Sequence, residues 1–187
     1  MSIQKTLIYP SLIFIYCFLF SQKATAQVLK TSTGNVVFKS KTLTEEIVAN
    51  NSQVSVAIAP SKNQMQFRVP INGFQFKSAL MQKHFNENYM ETSTYPTGDF
   101  LGEIKNINDV KFEKVGEYPV NVAGKLTIHG VTKEVNTSGT ILVKTVGIQL
   151  KSSFKIKCSD FGIEIPLRSI DSISDVISID VNCVLTQ

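Results

Sequence analysis

The stretch GKLTIHGVTKEV, Gly124 to Val135, decides the fold of this chain. Apolar and polar residues alternate along it, which indicates β-strand with one dry face and one wet face. His129 and Gly130 interrupt the alternation, and it resumes after them. The stretch therefore predicts two strands joined by a tight hairpin turn, with His129 and Gly130 shaping the bend.

Period-two alternation extends outward from this hairpin, from residue 34 to the end of the chain. Turn signals such as ANNS, PSKNQ, KVGEYP and TVG separate the strands, and short links predict an antiparallel meander. About eight strands, each with a single apolar face, suit a closed barrel or a sandwich. The apolar phase contains Val54, Val56, Ile58, Met65, Phe67, Val69, Ile71, Val120, Val122, Leu126, Ile128, Ile148, Leu150, Phe154, Ile156, Ile177, Ile179 and Val181.

One segment has helical spacing instead. Met81, Phe85 and Tyr89 follow one another at intervals of four residues, which predicts a helix or two short helical turns over residues 77–90. Several Phe and Met side chains cluster near this segment, so it is a candidate cap for one mouth of a barrel. Met and Phe suit an adaptable apolar pocket.

The first 26 residues predict a secretory signal peptide. A charged start, MSIQK, precedes a short apolar run and the Ala24-Thr25-Ala26 cleavage pattern. Lipidation at Cys17 is the alternative, but Cys17 lies inside the apolar run rather than after small residues at its end. We therefore expect export to the periplasm or secretion after cleavage near Ala26, with residues 27–187 as one domain and no stable membrane span.

Composition and motifs argue against several functions. The chain has 19 basic and 15 acidic residues and no run of Lys or Arg, so no nucleic-acid partner is expected. No nucleophile elbow, zinc spacing or phosphate loop is present, and no cofactor or metal is expected. The two histidines, His84 and His129, predict packed structural roles, His129 by hydrogen bonding the turn backbone. An enzyme that uses either histidine is the less favoured alternative.

Two cysteines, Cys158 and Cys183, remain after the predicted cleavage. Both lie on the apolar phase of strand-like runs. An exported chain reaches a compartment that permits disulfides. The sequence leaves open whether the pair forms a bridge or two buried thiols, since a disulfide requires a specific geometry.

Several motifs then resemble one family in order and spacing. LTIHGVTKEV resembles the hallmark hairpin of the YceI-like family, the bacterial polyisoprenoid-binding proteins. LMQKHFNENYMET resembles the family's helical segment with its histidine, and YPTGDFLGEI resembles its Tyr-Pro-Thr strand, with Phe100 and Gly102 at the aromatic and glycine positions. SSFKIKCSDFGIEIP resembles its Asp-Phe-Gly-Ile segment. The resemblance covers residues 33–187, and it departs at Met81-Gln82-Lys83, where the family commonly has a charged set.

The resemblance implies an all-β, lipocalin-like antiparallel barrel of about eight strands that holds a long isoprenoid or other lipid along its axis. Burial of one five-carbon unit could contribute about 3–4 kcal/mol, so such a ligand needs few polar contacts. A packed barrel that binds a partner by its surface, without a small ligand, is the alternative, and a homodimer is left open. The candidate lining residues are Phe67, Val69, Phe74, Phe76, Leu80, Met81, His84, Phe85, Phe100, Leu126, Ile128 and Phe154.

Overall fold

A computed structural model of the chain describes residues 28–166, 169 and 172–186. The predicted signal peptide and Cys17 lie outside these residues. The described chain forms eight strands that pair antiparallel in chain order, and the last pairs with the first, so the sheet closes into a barrel. The predicted fold class is confirmed. The strands are β1 (Leu29–Lys41), β2 (Glu46–Ala59), β3 (Gln64–Pro70), β4 (Thr97–Ile104), β5 (Gly116–Ile128), β6 (Val131–Val143), β7 (Ile148–Lys157) and β8 (Val176–Leu185).

Alternation along each strand separates the barrel interior from its surface. On β2, Val54, Val56 and Ile58 are at most 3% exposed, and the residues between them face outward or are half-buried. Outer-face charges pair across strands, as Lys39 does with Asp180 at 2.8 Å. The hydrogen bond from Lys39 lowers the pKa of the Asp180 carboxyl. Closure of the sheet leaves the inner apolar faces in contact with one another or with an enclosed space.

A helical segment lies over one end of the barrel. The link from β3 to β4 contains helix α1 (Ala79–His84) and a π-helical turn (Phe85–Tyr89). We call the stretch Ala79–Tyr89 the cap. Ser78 begins the helix by accepting a hydrogen bond from the Met81 amide at 3.4 Å. The predicted helical segment is confirmed, although it is shorter than residues 77–90 and changes from α to π geometry.

The hairpin between β5 and β6 forms at the predicted place. Ile128 lies opposite Val131, so the loop has two residues, His129 with φ of 51° and Gly130 with φ of 74°. Two positive φ values define a type I′ turn, whose twist matches that of the flanking strands. Histidine is among the residues that tolerate this backbone region.

The side chain of His129 does not bind the turn backbone as expected. No hydrogen bond from it to the turn is found among the described residues. Its ring instead packs edge-on against Tyr95, with centroids 4.5 Å apart. Its Nε2 atom is buried and lies 3.9 Å from Glu91 Oε1. His129 therefore joins the hairpin to the segment that follows the cap, because an αL residue directs its side chain away from the turn.

Substitution of Gly130 by alanine should destabilise the hairpin. A Cβ atom there would lie 2.7 Å from the Tyr95 ring, and the positive φ disfavours any side chain. We expect a loss of about 1–2 kcal/mol in the free energy of unfolding, measured by urea titration. His129→Asn is the matched control, since asparagine also adopts positive φ. Equal stability of Gly130→Ala and wild type would contradict a type I′ turn here.

The two cysteines are free thiols, and both are buried. Pairing of β7 with β8 places Leu150 opposite Cys183 and Lys157 opposite Val176. Cys158 follows Lys157, so Cys158 and Cys183 are separated by about eight residues of strand, or roughly 26 Å at 3.3 Å per residue. A disulfide requires Cα atoms within about 7 Å, so the register excludes the bridge that the sequence left open.

These buried thiols should make the fold sensitive to alkaline pH. Burial raises the pKa of each thiol from 9.0 to about 11. The unfolded chain therefore releases these protons first. The free energy of unfolding is unaffected by them below pH 9 and should fall as the pH rises toward 11. Urea titrations at pH 8 and pH 10.5 measure this loss, and the double variant Cys158→Ala/Cys183→Ala should show a smaller one. An equal loss in both proteins would contradict it.

Candidate ligand-binding site

Two apolar cavities occupy the inside of the barrel. The first, of about 170 Å³, lies among the inward side chains of the strands, and we call it the barrel cavity. The second, of about 350 Å³, lies between the strands and the cap, and we call it the cap cavity. Both are lined by the same five residues where they meet, so they lie end to end. The shared residues are Ile71, Phe74, Ile128, Ile156 and Ile179.

The volumes of the two cavities distinguish a barrel filled by its own side chains from a barrel that can hold a ligand. An apolar cavity of roughly 150 Å³ is enough to hold benzene. Each of the two cavities exceeds that volume, and the cap cavity alone falls within the range of about 300–1,000 Å³ that is typical of ligand pockets. The barrel interior is therefore not filled by its own side chains.

Small residues on the inner face create the barrel cavity. Gly102 and Gly124 face each other across β4 and β5, and the ring of Phe100 lies over both of them. A Cβ atom on either glycine would approach that ring within 2.7 Å. On the adjacent strand β6, Gly139 lies opposite Ser152 of β7, and both line the cavity. The glycines let the Phe100 ring lie flat against the wall, where a larger residue would push it into the cavity.

Four aromatic rings form one wall of the cap cavity. Phe38 on β1 contacts Phe74, Phe76 and Phe85 with centroids 5.3–5.5 Å apart. Phe85 also contacts Phe76 at 4.9 Å. Such contacts stabilise by about 0.5–1.5 kcal/mol per pair beyond the area that they bury. The aromatic cluster therefore fixes the cap against β1 while it leaves the adjoining space open.

The structure brings most of the predicted lining residues together. Five of them line only the barrel cavity: Phe67, Val69, Phe100, Leu126 and Phe154. Four line only the cap cavity: Phe76, Met81, His84 and Phe85. Phe74 and Ile128 line both. Leu80 lines neither and is 61% exposed, because its helical position turns it outward next to Met81.

Some lining residues were not among those selected from the sequence. Phe38, Ile179 and Val181 line the cavities from β1 and β8. The period-two pattern placed Ile179 and Val181 on the apolar phase, but phase alone does not show which level of a barrel borders empty space. Phe38 borders the cap cavity only because the cap packs against β1.

Polar groups are few within the site. Thr137 and Ser152 face the barrel cavity, and the Ser152 hydroxyl donates to the Ser138 carbonyl at 2.7 Å. His84 lines the cap cavity and is exposed, whereas His129 lines neither cavity. Neither histidine has a hydrogen-bonded partner in the part of the chain that the structure describes. Neither histidine is therefore part of a hydrogen-bonded pair within these residues.

Over residues 28–166, 169 and 172–186, no three His, Cys, Asp or Glu side chains are grouped so that they could hold a metal ion. Within the same ranges, no helix has the length and apolar character needed to cross a bilayer.

The geometry defines a class: a closed eight-stranded antiparallel barrel with an apolar interior and a helical cap over one end. A family model described as the YceI-like domain matches residues 26–185. The chain therefore belongs to the YceI-like family, as the hairpin motif predicted.

Solved structures show the same fold at low sequence identity. A polyisoprenoid binding domain from Saccharophagus degradans aligns with a TM-score of 0.74 at 16% identity, over 85% of this chain and 97% of that one. BcnA from Burkholderia cenocepacia gives 0.67 at 18%, over 82% and 96%. A YceI protein from Campylobacter jejuni gives 0.56 at 19%, over 74% and 84%. No curated protein matches the chain.

Proposed function

We propose that this protein binds one long apolar chain, such as an isoprenoid, inside the barrel and acts as a carrier for it. The observation that carries the proposal is the pair of cavities that meet end to end, since a long chain requires a continuous apolar path. The structural relative from Saccharophagus degradans is described as polyisoprenoid binding, which supports the same class of ligand.

Energetics favour this ligand class. Burial of apolar surface stabilises by roughly 0.8 kcal/mol per CH₂, so one five-carbon unit contributes about 3–4 kcal/mol. Two or more buried units exceed the several kcal/mol that association and chain ordering cost. The few polar groups that line the cavities suit recognition by length and shape rather than by a dense set of hydrogen bonds.

The carrier is proposed to act without catalysing a reaction, after export to the periplasm or secretion. The absence of a hydrogen-bonded partner for either histidine in the described residues supports the first part. The signal-like residues 1–26 support the second. Mass measurement of the mature chain from a cell envelope fraction tests cleavage near Ala26, and sedimentation tests whether the chain forms the homodimer that the sequence left open.

Native extraction is the direct test of the ligand. Protein purified without detergent should yield an apolar chain compound in an organic extract, identified by mass spectrometry in about equimolar amount. Empty protein should take up added geranylgeraniol and shift to a higher melting temperature. Repeatedly empty extracts together with no uptake of added chain would overturn the proposal and leave the packed interaction module as the better account.

A further inference from the structure

The pairing between β6 and β7 is incomplete and leaves a gap in the hydrogen-bonded wall of the barrel. The ladder between these two strands begins at the pair Val143 and Ile148 and ends at the pair Gly139 and Ser152. Beyond that point β6 continues to pair with β5 as far as Val131, and β7 continues to pair with β8 as far as Lys157. Two strand edges therefore face each other without pairing, over residues 132–138 and 153–157. We call this gap the window.

The window has a defined frame. At one end, the Ser152 hydroxyl bonds to the Ser138 carbonyl, beside the last paired residues. At the other end, a 3₁₀ turn (Ser159–Phe161) follows β7 and buries Phe161, and Gly162 lies against Val131. The window is thus framed by the two strand edges, by the Ser152–Ser138 hydrogen bond and by the turn that follows β7.

The window borders the cavities directly. Val135 and Thr137 on one edge and Phe154 and Ile156 on the other are half-buried, and all four line the barrel cavity. Ile156 also lines the cap cavity, so the window lies beside the place where the two cavities meet. A chain that passes between these side chains would reach both cavities without displacing the cap.

Lys133 places a positive charge on the β6 edge of the window. It lies opposite Leu126, on the inward phase of β6, yet its side chain is exposed. Paired neighbouring strands would bury a residue of this phase, so the window is what leaves Lys133 in water. It forms no ion pair with any described residue, which leaves its ammonium free to bind an anion.

We propose that the window is a lateral portal through which the apolar chain enters, and that Lys133 holds an anionic head group, such as a phosphate, outside the rim. The proposal rests on the proposed function, since it concerns the same ligand. It accounts together for the unpaired edges, the apolar side chains behind them and the exposed lysine on an inward position.

Cross-linking the window tests the portal. Asn136→Cys and Lys155→Cys would lie opposite each other if the register continued, and both positions are exposed. A short bismaleimide should join them, and uptake of geranylgeranyl phosphate should then slow at least tenfold. The control pair Leu142→Cys and Gln149→Cys lies opposite within the paired part of the ladder, and its cross-link should leave the rate unchanged. The native thiols are buried and should not compete for the reagent.

The outcomes separate the portal from the carrier function. If the cross-linked window takes up the chain at the uncross-linked rate, the portal is overturned while the carrier function stands. If protein without a cross-link takes up no chain at all, both are overturned. Slower uptake in the window pair alone supports the portal.

The charge at the rim is tested separately by Lys133→Gln. Affinity for geranylgeranyl phosphate should fall about tenfold, while affinity for geranylgeraniol should not change. Lys125→Gln is the control, because Lys125 is exposed on the outer phase of β5 opposite Glu134. Equal losses for the two ligands, or no loss for the phosphate, would overturn the role of Lys133.

Discussion

Substitution of Ile179 by tryptophan should weaken binding of a long chain at least 100-fold. Ile179 lies on the inner phase of β8, opposite Phe38 and Phe154, and lines both cavities where they meet. An indole there would divide the interior into two short compartments. Loss of even one buried five-carbon unit costs about 3–4 kcal/mol, which corresponds to more than a 100-fold change in affinity.

Chain length distinguishes this blockage from general damage. A C5 or C10 alcohol should still bind the cap cavity in Ile179→Trp, whereas a C20 alcohol should not. Overpacking by the indole is expected to lower the free energy of unfolding by about 1–3 kcal/mol. Ile179→Trp and its control are therefore first compared by thermal unfolding. Val184→Trp is the control on the same strand, since Val184 is 50% exposed on the outer face. Unchanged affinity for the C20 alcohol in Ile179→Trp would show that the chain does not pass this point.

The barrel itself could be predicted from the sequence because its cause is local. Alternation places Val54, Val56 and Ile58 on one face, and the short turns that join β1 to β2, β2 to β3, β5 to β6 and β6 to β7 favour neighbouring antiparallel pairs. The His129–Gly130 turn was predictable for the same reason, since two residues between alternating runs set the hairpin register. Each of these features depends on residues a few positions apart.

The cavities depend on contacts that are distant in the chain. Phe100 lies flat because Gly102 and Gly124, on different strands, are opposite each other. Leu80 and Met81 are neighbours and both are exposed, yet only Met81 lines the cap cavity. Hydrophobic spacing alone assigned both to the interior.

The sequence did not predict the window. Residues 153–157 alternate as the paired strands do, so their pattern predicts a continuous ladder, whereas residues 132–138 are polar except for Val135. Where a ladder ends is set by strand stagger and by what packs at the barrel end, here the turn that carries Phe161. Lys133 is a charged residue on the inward phase of β6, and this disagreement between residue type and phase was the available signal.

Substitution of Asn51 by alanine should lower the free energy of unfolding by about 3 kcal/mol. Asn51 is fully buried on β2, in a part of that strand that has no β3 partner. Its side-chain amide donates to the Pro70 carbonyl at 2.7 Å, and its side-chain oxygen accepts from the Gln53 amide at 2.8 Å. Alanine would leave both of these partly buried backbone groups without their side-chain partners, each at a cost of about 1–3 kcal/mol.

Asn51→Ala should destabilise the segment between β3 and the cap before it destabilises the rest of the barrel. Asn51 packs against Gly73, and the neighbouring Asn50 exchanges backbone hydrogen bonds with Gln75, so this short segment connects the wall to the cap. Asn50→Ala is the matched control: Asn50 is exposed, so loss of its side-chain bond to Asn35 should cost less than about 1 kcal/mol. For Asn51→Ala, a melting temperature lower by roughly 6–12 °C is expected. Hydrogen exchange should accelerate first over residues 71–90. If Asn51→Ala costs no more than Asn50→Ala, the cap is held to the barrel by its aromatic contacts alone.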